Sequence, residues 1–233
     1  MNCAIPFEFD LAGDFSENIA FVKKKDKVGF IDKDGHLVIP CQFDYDTDPD
    51  TSKFKNNHSV VRTSNKSGLI DKNGNIVLPF EYDFMGLYVE GLLSVKINGK
   101  YGFIDLNGQT VIPCIYDYCG NFKNGLSVVR MNNKSGIIDR NGNQVLSICY
   151  DGLRRPENTE SLMPIFMARI GKYFGVIDLT GRIVLPFEFT NIHYMEKDYI
   201  CVDLEYENSL LYEVWVGLDG TIYSPKLDNI FYK

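Results

Sequence analysis

One short pattern recurs five times along this chain and constrains its fold more than any other feature. Each copy reads Gly-x-Ile-Asp, with a second Gly three residues after the Asp and a Val three residues further on. Self-similarity at a nearly fixed period is the signature of a repeat architecture, in which each copy is one structural unit. The Gly and Asp of the five copies are Gly29, Asp32, Gly68, Asp71, Gly102, Asp105, Gly136, Asp139, Gly175 and Asp178.

The pattern extends to both ends of the 233-residue chain. Two residues after the Val lies a proline position that falls at 6, 40, 79, 113, 147 (a serine), 186 and 225, in steps of 34 or 39 residues. The spacing predicts a single repeat domain over residues 1–233. It consists of an N-terminal half-unit at 1–10, repeat units from about 15 to 198, and a degenerate C-terminal capping unit at about 199–233.

Each unit has the chemistry of strands and tight turns rather than helices. Its Val- and Ile-rich runs are short and are divided by Gly, Asn-Gly and Pro, which leaves no room for a helix. Asn98-Gly99 suits a two-residue hairpin turn, and Asp105 to Gly108 suits a type I turn. Pro113 is expected to end the ladder, because it has no N–H to donate. The strands predicted for the third unit are Leu92–Ile97, Tyr101–Ile104 and Thr110–Ile112.

The predicted fold is therefore all-β, with tandem repeats of three-stranded antiparallel meanders. One such meander is too small to bury its own apolar face, so it must stack on its neighbours. We expect Tyr82, Tyr116 and Tyr150 to be buried between successive units. Long strands at Tyr199–Tyr206 and Leu210–Gly217 favour a cap and an open curved array. The alternative is a closed six-unit propeller-like ring.

The repeat resembles the WG-repeat family, also called KWG repeats, which is known from bacteria. The closest stretch is Glu90–Asp105, which reads EGLLSVKINGKYGFID, and the resemblance runs from Pro6 to Pro225. The Trp that precedes the family's Gly is replaced in this chain by Val28, Ser67, Tyr101, Ser135 and Phe174. The resemblance implies the fold and a binding role, and it implies no catalytic residues.

Composition narrows the class of partner. The net charge is −7 and the isoelectric point is about 5.0, which argues against nucleic acid and anionic membrane as partners. No apolar run reaches the ~18 residues of a membrane span, and the first residues do not predict a secretory signal. The six cysteines form no Cys-x-x-Cys pair, so we expect reduced thiols in a cytoplasmic protein.

The chain shows no strong catalytic, cofactor or metal motif. The five recurring aspartates are explained by type I turns, in which Asp accepts a local backbone N–H. Alternate acids at 44–50 lack the Gly and Glu of an EF-hand loop, and the three histidines are isolated in sequence. The basic stretch Lys23–Lys27 suits a solvated turn. Tyr45, Phe84 and Tyr118 occupy equivalent positions and suit either an aromatic binding stripe or core packing.

Sequence reasoning places the candidate binding residues in the inserts that lengthen some units. Such inserts differ between units and are where function is usually added to a repeat. The insert that holds Asp46, Asp48 and Asp50, called the acidic insert, favours a basic protein partner. The oligomeric state is left open. The leading function is a non-enzymatic protein-binding scaffold, with an inhibitor or immunity protein against a bacterial toxin as the alternative. Carbohydrate binding and a hydrolase rank lower. The candidate residues are Asp46, Asp48, Asp50, Arg154 and Arg155.

Overall fold

The computed structural model of the chain describes residues 8–45, 52–155, 165–195, 199–206, 210–217, 219 and 221–223. These residues form 22 β-strands, and none of them lies in a helix. The described part of the chain therefore has no helix that could cross a membrane. The prediction of an all-β repeat fold is confirmed.

The chain divides into two compact regions. The N-terminal region is Met1–Ser127 with Arg140–Gly142, and the C-terminal region is Val128–Asp139 with Asn143–Lys233. The N-terminal region holds β1 (Leu11–Ala12), β2 (Ile19–Lys24), β3 (Lys27–Asp32), β4 (Leu37–Asp44), β5 (His58–Thr63), β6 (Lys66–Asp71), β7 (Ile76–Tyr82), β8 (Phe84–Val89), β9 (Leu92–Ile97), β10 (Lys100–Ile104), β11 (Thr110–Tyr116) and β12 (Tyr118–Cys119). The division falls within β13 (Leu126–Met131). The C-terminal region then holds β14 (Lys134–Asp139), β15 (Gln144–Tyr150), β16 (Gly152–Arg154), β17 (Ile165–Ile170), β18 (Tyr173–Asp178), β19 (Ile183–Met195), β20 (Tyr199–Tyr206), β21 (Leu210–Gly217) and β22 (Ile222–Tyr223).

The meander predicted for each unit is confirmed, and the structure adds a strand to it. In the third unit β9, β10 and β11 pair antiparallel in chain order. Asn98 and Gly99 join β9 to β10 with φ of 52° and 81°, as a type I′ hairpin turn requires. The segment after the previous unit forms β8, which pairs with β9 and completes a four-stranded sheet. Seven-stranded sheets run in chain order over β1–β7 in the N-terminal region and over β16–β22 in the C-terminal region.

The expectation that proline ends the ladder is wrong. Strand β11 continues through Pro113 to Tyr116, and its register against β10 shifts between Tyr101 and Phe103. At the bulge formed by this shift, the residue at position 113 does not need to donate a ladder hydrogen bond. The strand therefore tolerates proline there. Strands β4, β7 and β19 likewise pass through Pro40, Pro79 and Pro186.

The bulge explains the Gly of the repeat signature. A Cβ placed on Gly102 would lie 2.5 Å from the backbone oxygen of Ile112 and 2.7 Å from the backbone nitrogen of Cys114. Gly29 has the same surroundings, at 2.5 Å from the oxygen of Ile39. The bulged strand thus occupies the space in which any other residue would place its side chain.

The turn glycine of one unit packs on the third strand of the preceding unit. A Cβ on Gly108 would lie 3.3 Å from the side chain of Leu78, which is buried. Three further contacts repeat this geometry along the chain. The others join Gly74 to Ile39, Gly142 to Ile112 and Gly181 to Leu146, at 3.4–3.5 Å.

The tyrosines predicted to be buried are buried: Tyr82, Tyr116 and Tyr150 are at most 9% exposed. The hydroxyl of Tyr82 lies 3.9 Å from the Cβ position of Gly108 in the next unit, and that of Tyr150 lies 3.9 Å from Gly181. These two rings therefore bridge successive units. The long strands β20 and β21 also have the predicted bounds.

Candidate functional site

The recurring aspartates are held by the turns between the second and third strands. Oδ1 of Asp105 accepts the backbone N–H groups of Asn107 and Gln109 at 2.9 and 2.8 Å. Its carbonyl oxygen accepts the N–H of Gly108 at 3.1 Å, and Gly108 has a φ of 77°. At least one of the same Oδ1 contacts is present at Asp32, Asp71, Asp139 and Asp178. The structural role predicted for these residues therefore accounts for their recurrence.

One of these turns gathers three side chains that are able to bind a metal. Ligand atoms of Asp32, Asp34 and His36 lie within 4.8 Å of one another, although sequence spacing alone leaves His36 isolated. Nδ1 of His36 lies 3.3 Å from Oδ2 of Asp32. The residue equivalent to His36 makes the same contact in other units, from Asn75, Asn143 and Arg182. The group is thus the ordinary turn of the repeat, with His36 in the donor position.

A second recurring feature, which sequence reasoning missed, is a Lys–Asp pair. At the start of the second strand a Lys Nζ lies 2.5 Å from an Asp Oδ1 that is 17 residues further along. The fifth unit has Tyr173 and Thr190 at these positions, so both partners are replaced together. That joint replacement is the signal in the sequence that indicates a contact. The four pairs are Lys27–Asp44, Lys66–Asp83, Lys100–Asp117 and Lys134–Asp151.

The Asp of such a pair also binds the hairpin turn of the next unit. Oδ2 of Asp44 accepts the N–H of Ser64 at 2.7 Å, and Oδ2 of Asp151 accepts the N–H of Gly171 at 2.7 Å. In the half-unit, Asp10 accepts the N–H of Lys25 at 2.5 Å. These carboxylates join neighbouring units, so we assign them to the fold.

Stability should therefore fall in acid. Lys27 and the N–H of Ser64 lower the pKa of Asp44, Lys66 lowers that of Asp83, and Thr180 and Arg182 lower the pKa of Asp178 to about 2. A pKa lowered by folding gives stability that is complete above the ordinary value near 3.8 and is lost as the pH falls through the folded value. We expect the urea midpoint to be constant down to about pH 5 and to drop between about pH 4 and 2.

Denaturation series across this pH range test the expectation. The variant D178N should lose part of the acid-dependent drop, because it lacks a carboxylate whose pKa folding lowers to about 2. A midpoint that stays flat to the acid limit, or that already falls near neutrality, would contradict the assignment.

The candidate residues from the sequence are only partly described. Asp46, Asp48 and Asp50 lie outside the described residues. Arg154 is exposed, and its Nη2 donates to the carbonyl oxygen of Ile192 at 3.2 Å. The guanidinium of Arg155 lies 5.4 Å from the ring centroid of Phe166. Both arginines contact residues of nearby strands, and their role in partner binding stays a prediction.

The N-terminal region carries a surface of cations and aromatic rings. It lies at the end of the sheets where the hairpin turns are. Nζ of Lys23 lies 4.7 Å from the ring centroid of Tyr45, and Nζ of Lys96 lies 5.0 Å from that of Tyr101. The Tyr101 ring lies 5.9 Å from Phe84 and 6.5 Å from Tyr118. We call this the basic–aromatic surface, formed by Lys23, Tyr45, Arg62, Phe84, Lys96, Tyr101 and Tyr118.

The surface is continuous across three repeat units. Asp44, next to Tyr45, lies opposite Arg62 in the register of β4 and β5. Arg62 and Phe84 line one small cleft, and Phe84 lies opposite Lys96 in the register of β8 and β9. Only Tyr118 is largely open to solvent, at 48% exposure, and the other members are half-buried.

Sequence reasoning proposed three of the four rings as a binding stripe or as core packing, and it missed Tyr101 and the cations. A basic residue stands two positions before the hairpin turn in all five units, as Lys23, Arg62, Lys96, Arg130 and Arg169. By contrast, the position of Tyr45, Phe84 and Tyr118 holds Gly152 and Asn191 in the later units. The aromatic residues are therefore not required by the repeat itself.

Comparison with known proteins identifies the repeat. The model of the family described as "WG containing repeat" matches residues 2–27, 29–66, 68–101, 101–134 and 174–206. It does not match residues 135–173, although β14 and β15 there form the same hairpin with the same register shifts. No curated protein matches the sequence.

Solved structures resemble the chain at low sequence identity. BamB from Moraxella catarrhalis is 12% identical with a TM-score of 0.48, over 91% of this chain and 80% of that one. Hsv2p from Kluyveromyces lactis is 10% identical with a TM-score of 0.44, over 96% of this chain and 78% of that one.

The family matches cover more than half of the chain and coincide with repeats that the strands, turns and bulges define independently. Tyr101 stands at the position where the family carries its Trp, between Lys100 and Gly102. This chain belongs to the WG-repeat family.

Proposed function

We propose that the chain is a non-enzymatic protein-binding scaffold whose partner contacts the basic–aromatic surface. The observation that carries the proposal is the continuity of this surface across three units, at aromatic positions that the repeat does not require. Repeat arrays bind through extended surfaces and carry their specificity at variable positions.

The chemistry of the surface suits a protein partner. Tyr and Arg are enriched among the residues that contribute most to protein interfaces, because they combine apolar area with hydrogen-bonding groups. The ring of Tyr118 is 48% exposed beside the half-buried rings of Tyr101 and Phe84. A partner that covers these rings would remove apolar area from water, which stabilises a complex.

The recurring carboxylates support a non-enzymatic role. The aspartates of the signature accept N–H groups of their own turns, and those of the Lys–Asp pairs join neighbouring units. A group that recurs in every unit with the same local partners serves the fold. We also propose a cytoplasmic location, because the six cysteines form no Cys-x-x-Cys pair and are expected to be reduced thiols.

Isolation of the tagged full chain from its native host tests the proposal. We expect one protein to co-purify in a stoichiometric ratio and the Tyr118→Ala variant to lose most of it. Phe15→Ala is the matched control, because Phe15 is an aromatic residue of similar exposure, at 40%. A partner retained equally by both variants, or a bound sugar in place of a protein, would contradict the proposal.

A basic protein partner at the acidic insert is a separate proposal. It predicts that replacement of Asp46, Asp48 and Asp50 with Ser weakens binding at unchanged stability, with a reduced salt dependence of the association rate. Unchanged binding would remove the insert from the interface, and lost stability would make it structural. An immunity protein is one form of such a scaffold, and rescue of cells from a co-expressed toxin would test it.

A further inference from the structure

We infer that the segment bound at the basic–aromatic surface is an extended acidic peptide of the partner protein. The inference rests on the proposed function and names the chemistry that this surface recognises. It follows from which cations the fold leaves available, from the shape of the surface, and from the anions that lie among the cations.

The lysines at the start of the second strands form salt bridges with aspartates, whereas two lysines near the end of the first strands do not, among the described residues. Lys27, Lys66 and Lys100 are neutralised by Asp44, Asp83 and Asp117 at 2.5 Å. Lys23 and Lys96 form no salt bridge with any residue in the described ranges, and they lie over the rings of Tyr45 and Tyr101. The surface therefore offers cations in the first and third repeat units of a chain whose net charge is −7.

The combination of cation and ring selects a segment with carboxylates and apolar groups. A carboxylate bound by Lys96 would form a charge-assisted hydrogen bond beside the rings of Tyr101 and Phe84. Those rings would cover the apolar atoms of neighbouring side chains of the segment. A free carboxylate metabolite would use the cation and leave the rings exposed.

The shape of the surface selects an extended segment. The cleft between Arg62 and Phe84 has a volume of only about 20 Å³, which is room for one water molecule. No side chain of a partner fits inside it. A ligand must therefore lie across the surface and gain its contacts over several repeat units, as an extended peptide does.

The aspartates among the cations favour a peptide over nucleic acid. Asp44 lies opposite Arg62 in the register of β4 and β5, and Asp83 and Asp117 follow in the next repeat units. A phosphate backbone has one charge per nucleotide and would bring several charges close to these carboxylates. A peptide chain is able to present its carboxylates only where the cations lie.

Fluorescence anisotropy with the full chain tests the inference. The probe is a short labelled peptide of alternating glutamate and tyrosine, compared with a lysine–tyrosine peptide and an oligothymidylate of similar length. We expect the acidic peptide to bind, and to bind more weakly as salt rises from about 50 to 300 mM. Lys96→Glu should weaken binding by about tenfold or more, whereas Lys96→Arg should retain it.

Lys33→Glu is the matched control, because it makes the same charge change at an exposed lysine in a turn at the other end of the strands. Circular dichroism confirms that each variant is folded. No binding of the acidic peptide, equal losses in Lys96→Glu and Lys33→Glu, or tighter binding of the oligonucleotide would each overturn the inference. If the native partner still co-purifies with Lys96→Glu, the inference fails while the proposed function stands.

Discussion

Gly102→Val should destabilise the fold by about 3 kcal/mol, at the upper end of the usual cost of overpacking a core. The atoms that a Cβ would meet are backbone atoms of Ile112 and Cys114, at 2.5 and 2.7 Å. They belong to the bulge around Pro113 and are fixed by the β10–β11 ladder, so they have no alternative rotamer. The shift in the urea midpoint at neutral pH measures the effect.

Gly152→Ala is the control for this substitution. Gly152 also lies in a strand, but its Cβ position is 3.5 Å from the nearest atom, which is in the side chain of Arg169. We expect a change within about 0.5 kcal/mol. Equal effects of the two substitutions would show that the bulge does not require glycine.

Tyr116→Ala should cost about 3–5 kcal/mol, the range for deletion of a buried aromatic ring. The side chain is 5% exposed, and burial raises the pKa of its hydroxyl. Its removal would leave a cavity under the third strand of the third unit. Equilibrium unfolding in urea, followed by tyrosine fluorescence and circular dichroism together, gives the free energy of unfolding.

Tyr118→Ala provides a matched control two residues away. Tyr118 is 48% exposed, so its deletion should change stability by less than about 0.5 kcal/mol while it weakens partner binding. If Tyr118→Ala destabilises the protein as much as Tyr116→Ala does, the ring belongs to the core. The surface would then lose its most exposed member.

The sequence predicted most of what depends on local chemistry. The bounds of β9, β20 and β21 and the hairpin at Asn98-Gly99 were all readable, because strand and turn propensities act over a few residues. The turn role of the recurring aspartates was readable for the same reason, since donor and acceptor lie two to four residues apart.

Features that depend on pairing across strands were less accessible. Proline inside β11 is allowed by a bulge, and the bulge exists only once β10 and β11 are in register. The Lys and Asp of each pair are 17 residues apart in the sequence. Only the fifth unit, in which Tyr173 and Thr190 replace both partners, indicates the contact in the sequence.

The basic–aromatic surface was the hardest to predict, because it combines two rows of residues from different units. The rings at Tyr45, Phe84 and Tyr118 stood out as equivalent positions, but Lys23 and Lys96 looked like ordinary solvated residues. Sheet pairing places Phe84 opposite Lys96 and thereby joins the two rows. The acidic insert, by contrast, was predicted as a binding site from its composition alone.

Photo-cross-linking of the protein partner tests the central claim most directly. A photoreactive phenylalanine analogue replaces Tyr118 in one variant and Phe15 in another, two aromatic positions of comparable exposure. If the basic–aromatic surface is the binding site, the partner cross-links in high yield at 118 and in low yield at 15. Equal yields, or a cross-link only at 15, would contradict it.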